Sequence, residues 1–217
     1  MIYILLIVFK IMYIINILYG KGMSGMAYVI SLQGPMASGK TTVAKRLEQH
    51  GLSVIYENPY RIVEKRIELN LDMNSKDGFI TNQKMFIGAK IKEFQNIQES
   101  TVIFDRGPED IEFYTLFYPK LIGKEWDIET ELQDDLCELR KCRSDAIFYL
   151  DVSKENVYDR KNNDRVRNRS TFEEQLKLVE TEKEWYKQFP VTYVDTNALS
   201  VDELEAYFIR WLKERGL

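Results

Sequence analysis

The segment Gly34-Pro35-Met36-Ala37-Ser38-Gly39-Lys40-Thr41 constrains this chain more than any other eight residues in it. It fits the pattern G-x-x-x-x-G-K-[ST] at every position. Its setting fits as well, because an apolar run, Tyr28–Leu32, precedes it and a helical pattern, Lys40–His50, begins inside it. Glycines let backbone N–H groups wrap around an anion, and a helix N-terminus adds partial positive charge. In such a loop the Lys40 ammonium meets the terminal phosphates and the Thr41 hydroxyl serves a divalent cation. The segment therefore predicts a site for ATP with Mg²⁺ on Gly34 to Thr41, with Thr42 beside it.

The rest of the chain repeats the same strand-then-helix rhythm. Short runs rich in β-branched and aromatic residues lie at Tyr28–Leu32, Ser53–Tyr56, Thr101–Phe104, Ala146–Leu150 and Val191–Val194. They show little polar alternation, which is how strands covered on both faces read. Helical patterns separate them at Lys40–His50, Pro59–Leu69, Phe79–Gln98, Glu109–Tyr118, Glu129–Cys142, Lys154–Asn162, Thr171–Gln188 and Val201–Arg215. Such alternation predicts an α/β fold: a five-stranded parallel sheet between two helical layers. Ligands of such sheets bind beyond the carboxyl ends of the strands. The residues there are chemical ones: Glu57, Asp105-Arg106, Asp151 and Asp195-Thr196-Asn197.

Each has a stated role and a bland alternative. Asp105 closes a buried run, as an acid that holds Mg²⁺ does; it can also cap the next helix. Arg106 beside it can orient a substrate or pair with an acid. Glu57 precedes Asn58-Pro59, so it stands at a strand-to-helix turn, where it can take a proton from an attacking hydroxyl or favour a helix start. Arg160, Arg165, Arg167 and Arg169 crowd a polar stretch after the fourth run. They read as a short lid that neutralises a moving phosphoryl group, or as a solvated basic loop. Phe113, Tyr114, Phe117 and Tyr118 recur at helical spacing and read as core.

These residues together resemble the deoxynucleoside kinase branch of the P-loop kinases and, more distantly, thymidylate kinase. The resemblance covers most of residues 27–217. It implies that Glu57 is the general base, that Gln83 bonds a nucleobase, and that Asp105 and Arg106 stand at the metal and the acceptor. It further implies that Arg160, Arg165 and Arg167 belong to a lid, and that Asp195 and Asn197 lie near the ATP base. The expected activity is transfer of the γ-phosphate to a small-molecule hydroxyl, a nucleoside first. The alternatives are a nucleoside monophosphate kinase and, in another class, a non-catalytic ATP-binding switch or regulatory ATPase.

Composition bounds the partners. The net charge of −4 argues against nucleic acid. Cys137 and Cys142 form no C-x-x-C pair and read as reduced thiols of a cytoplasmic protein. The lone His50 sits at a helix end, which leaves no multi-histidine metal site. Residues 1–19 are nearly all apolar but carry Lys10 in mid-run, a costly place for a charge within a bilayer. Residues 1–25 are thus an extension or a membrane anchor, the extension being preferred, and residues 26–217 are the kinase-like domain. A membrane partner is expected only if residues 1–25 are an anchor; a homodimer is left open.

Overall fold

The computed structural model describes residues 27–163 and 172–217. Within them five strands form one parallel sheet: β1 (Tyr28–Gln33), β2 (Ser53–Ile55), β3 (Thr101–Asp105), β4 (Ala146–Asp151) and β5 (Val191–Asp195), in the order β2-β3-β1-β4-β5. Leu32 of β1 stands opposite Asp105, and Asp151 opposite Asp195, so the carboxyl ends line up along one edge. Four of the five strands run one residue past their apolar runs, and the added residue is Gln33, Asp105, Asp151 or Asp195. The polar residue at each strand end is thereby held by sheet hydrogen bonds.

The sheet's residues alternate faces, as its pleat demands. Ile30, Leu32, Ile103, Phe148 and Leu150 pack with α1 (Lys40–Gln49) and α9 (Val201–Lys213). Val29, Val102 and Phe104 face the other way, toward Phe94 of α3 (Lys76–Gln95), and Ile147 and Tyr149 meet Tyr186 of α8 (Phe172–Tyr186). This is why the strands read as continuous apolar runs. Phe148 has no exposed surface, so Phe148→Ala is expected to cost about 3–5 kcal/mol.

The remaining helices are α2 (Tyr60–Glu68), α4 (Pro108–Leu121), α5 (Ile128–Glu131), α6 (Gln133–Arg140) and α7 (Lys154–Asn163). Two sequence expectations change here. The helix expected over Glu129–Cys142 breaks at Leu132, whose φ of −113° leaves the helical range between α5 and α6. The helix expected from Phe79 starts at Lys76, because the Ser75 hydroxyl accepts the Gly78 N–H and caps it. Among the described residues, no helix is long and apolar enough to cross a membrane. Residues 1–25 and the lid arginines Arg165, Arg167 and Arg169 lie outside the described residues.

Candidate active site

The loop between β1 and α1 turns on residues with left-handed backbone. Gly34 has φ +122°, and a Cβ there would lie 2.5 Å from the Leu150 carbonyl oxygen of β4. Gly39 has φ +105°, and Ala37 between them has φ +63°. Changes of hand along a short loop turn its N–H groups toward one concavity, which suits an anion. Lys40 folds back over that concavity. Its Nζ donates to the carbonyl oxygens of Gly34 and Pro35, both at 2.8 Å, and to Ser38 Oγ at 3.3 Å. Burial holds its pKa down to about 7; Arg106 adds to the effect, while Asp105, Glu182 and Asp110 oppose it. Arg160, on α7, braces the loop from outside. One of its amino groups donates to the Ala37 and Ser38 carbonyls, both at 3.4 Å, and to Thr196 Oγ1 at 3.2 Å.

Asp105 ends β3 beneath this loop and accepts the Thr41 hydroxyl at 2.6 Å. The two groups supply only oxygen ligands, side by side at the P-loop. That donor set fits Mg²⁺, which takes one or two protein oxygens and completes its shell with water and phosphate. Among the described residues no group of three or more His, Cys, Asp or Glu forms a metal cluster.

Arg106 follows in a left-handed conformation, φ +70°. Consecutive strand residues would face opposite ways, but this turn lets Asp105 and Arg106 both line the cleft. Arg106 Nε lies 3.2 Å from Glu57 Oε2, and its NH1 pairs with Asp110 Oδ1. Glu57 is 46% exposed through the cleft mouth, though ringed by protein. Desolvation raises its pKa above the usual carboxylate value; Arg106 counters this, while Asp110 reinforces it. A carboxylate held in that direction suits proton abstraction.

The cleft around these groups has a volume of about 1620 Å³. That exceeds the roughly 300–1,000 Å³ of a one-ligand pocket, so the cleft has room for more than one ligand. Its lining includes the P-loop with Leu199, Val201 and Leu204. It also includes the rings of Phe79, Phe86, Tyr114 and Tyr118, with the polar Asn82 and Gln83.

Most predicted residues converge here. Met36, Ala37, Ser38, Gly39, Lys40, Thr41, Thr42, Glu57, Gln83, Asp105, Arg106 and Arg160 all line the cleft. Asp195 and Asn197 do not. Asp195 Oδ1 accepts from the Asn197 backbone N–H at 2.9 Å and from its Nδ2 at 2.7 Å. Asn197 Oδ1 accepts in turn from Ser153 N–H and Asn156 Nδ2. Their polar atoms tie two loops together, and Thr196 between them faces the cleft instead. Of the aromatic residues read as core, Phe113 is, stacking on Phe117 at 4.9 Å, while Tyr114 and Tyr118 line the cleft.

Three charged or polar residues escaped the sequence reading. Asp110 is buried against Arg106, in the first turn of α4; Arg106 lies ahead of that helix, so helical spacing gave no signal for the pair. Asn82 is buried beside Gln83, and its Oδ1 has no hydrogen-bond partner among the described residues. Glu182 of α8 is buried and accepts the Tyr149 hydroxyl at 3.1 Å. Desolvation raises its pKa to about 7, with Asp110 adding and Arg106, Lys40 and the Tyr149 hydrogen bond opposing. No sequence pattern sets it apart from the exposed acids around it.

The parallel sheet, the anion-binding loop and the helix that opens from it define a P-loop NTPase fold. The chain belongs to the AAA domain family, whose model matches residues 29–203. Its fold is shared by the deoxyadenosine kinase of M. mycoides with the products dCMP and a flexible dCDP bound. That match has a TM-score of 0.68 at 21% identity and covers 86% of this chain and 99% of the other. The dCTP-bound form of that enzyme matches at 0.64 and 23% identity, with the same coverage. Thymidylate kinase from Candida albicans matches at 0.60 and 16%, covering 89% of this chain and 94% of the other. At these identities the likeness is one of fold. No curated protein matches the sequence.

Proposed function

We propose that this chain is an ATP- and Mg²⁺-dependent kinase that transfers the γ-phosphoryl group to a small-molecule hydroxyl, with a nucleoside or deoxynucleoside as acceptor. One observation carries the reading: Glu57 and Arg106 stand 3.2 Å apart in the cleft that the P-loop and the rings of Phe79, Phe86, Tyr114 and Tyr118 also line. A hydroxyl acceptor must lose its proton as it attacks, and Glu57 offers that proton a destination. Arg106, fixed by Glu57 and Asp110, orients the acceptor oxygen. Lys40 leaves the loop carbonyls for the phosphates, and the loop N–H groups cradle them. Thr41 and Asp105 hold Mg²⁺, which when bound neutralises charge on the phosphates. Gln83 addresses the acceptor's base, and the ring walls accept its flat faces. Arg165 and Arg167 supply further lid charge. The names of the structural neighbours support a nucleoside or nucleotide acceptor: a deoxyadenosine kinase fits a nucleoside, and a thymidylate kinase fits a nucleoside monophosphate. The reading carries a cytoplasmic location, with residues 26–217 as the catalytic domain.

A nucleoside monophosphate acceptor is the second reading. Arg66 of α2 favours it, since it lines the same cleft and would meet an anionic group there. The test is a screen of purified protein with ATP and Mg²⁺ against nucleosides, nucleoside monophosphates and small alcohols. Turnover of nucleosides supports the first reading. Turnover of monophosphates alone replaces it with the second, and turnover of neither ends both.

A further inference from the structure

Lys90 is a cation with almost no exposed surface, an unusual place for a lysine unless its charge is used. It lies on α3, two turns beyond Gln83 and so on the same face of the helix, and it reaches the turn after β3. Its Nζ donates to the backbone carbonyl oxygen of Arg106 at 3.2 Å. The same ammonium pairs with Glu93 at 2.7 Å and sits 4.8 Å from the centre of the Phe104 ring. Three successive residues of β3 and its turn are therefore addressed from different sides. Phe104 lies under the ammonium, Asp105 takes the Thr41 hydroxyl, and Arg106 is held at its carbonyl.

The held residue is the strained one. Arginine at φ +70° lies in the left-handed region, which side chains other than glycine seldom adopt and which persists only where the surroundings enforce it. The Arg106 N–H is fixed to the Leu32 carbonyl of β1 at 3.2 Å. The next position has no space for a side chain, because a Cβ on Gly107 would meet Glu109 Oε2 and Ser31 Cβ at 2.6 Å. Lys90 supplies the charged donor that fixes the carbonyl side of this turn. The turn in turn aims the guanidinium at Glu57 and Asp110. We infer that Lys90 is a positioning residue for phosphoryl transfer, acting through the Arg106 carbonyl to keep the guanidinium in register with Glu57. Its kinetic consequence rests on the kinase reading above; its geometric one does not.

The test uses Lys90→Met in the full chain, which keeps the length and most of the bulk but removes the donor. Two readouts separate positioning from simple stability. The first is the Nε–Hε resonance of Arg106 in arginine-labelled protein, identified by its absence in Arg106→Lys. The second is the split between kcat and KM for ATP. A displaced guanidinium should shift that resonance and lower kcat by about 10- to 100-fold, with KM for ATP changed by less than about threefold. A resonance that stays in place, or a kcat within about twofold of the parent, overturns the inference even if the melting temperature falls. If Lys90→Met does not accumulate as folded protein, Lys90→Gln keeps a polar group in the site but ends short of the carbonyl, and the same two outcomes decide. Should the parent transfer no phosphate at all, the kinase reading fails, while the Arg106 resonance still decides what Lys90 holds.

Discussion

Glu57 Oε2 and Arg106 Nε lie 3.2 Å apart, an ion pair that joins the carboxyl ends of the neighbouring strands β2 and β3. The pair is incomplete on purpose-built grounds of charge: Asp110 also claims the guanidinium, so Glu57 shares its partner. Burial and the nearby Asp110 raise the Glu57 pKa, and the shared arginine only partly offsets them. The carboxylate is thus more basic than a free one while still facing the cleft.

Replacing Glu57 by Gln keeps the shape and removes the base. Turnover is expected to fall by about 10²- to 10⁴-fold, the range for a general base, with ATP affinity by calorimetry nearly unchanged. In the parent, kcat/KM for the acceptor should decline as pH falls through a pKa above the ordinary glutamate value, because protonation occupies the base. Near-parental turnover in Glu57→Gln would remove Glu57 from the mechanism.

Asp105→Asn tests the metal role. The Thr41 hydroxyl keeps an acceptor, so the loop should stay in place while a negative ligand is lost. Half-saturation by Mg²⁺ is expected to rise by about 10- to 100-fold, a scale typical of damaged metal sites. An unchanged Mg²⁺ titration would leave Asp105 as a structural cap alone.

Glu182 makes a prediction about stability. Its carboxyl has a pKa of about 7 in the folded protein against 4.5 for the free side chain, chiefly through desolvation. Between those values the folded chain binds more protons than the unfolded one, so this group's contribution to stability falls as pH rises. Glu182→Gln removes the penalty. Its melting temperature relative to the parent should therefore be higher near pH 8 than near pH 5, by on the order of 5 °C. A difference that is the same at both pH values contradicts the assignment.

Strands and P-loop were readable from sequence because each is a local signal. A strand covered on both faces is apolar throughout, and the loop's glycines, lysine and threonine are fixed in spacing. Glu57, Asp105 and Arg106 were readable because they follow strands, where the cleft must be. Asp110, Glu182 and Lys90 were not. They are charged residues on the buried sides of helices, and sequence gives no sign of which polar position on a helix faces inward. Glu182 lies among Glu180, Lys183 and Glu184, and only the packing of α8 against Tyr149 separates it from them. Asp195 and Asn197 stand at a strand end too, but a hydrogen-bond network between neighbouring loops engages their polar atoms, which sequence does not show.

The most direct test follows the label of ATP carrying a marked γ-phosphate through the parent and through Lys40→Ala, with a nucleoside present. The account predicts that the parent passes the label to the nucleoside as a monophosphate. Lys40→Ala, lacking the ammonium at the phosphates, should pass on less by about 10²- to 10³-fold, the cost of one preorganised electrostatic group. Label that appears only as inorganic phosphate, whatever acceptor is supplied, would contradict the account and make the chain an ATPase.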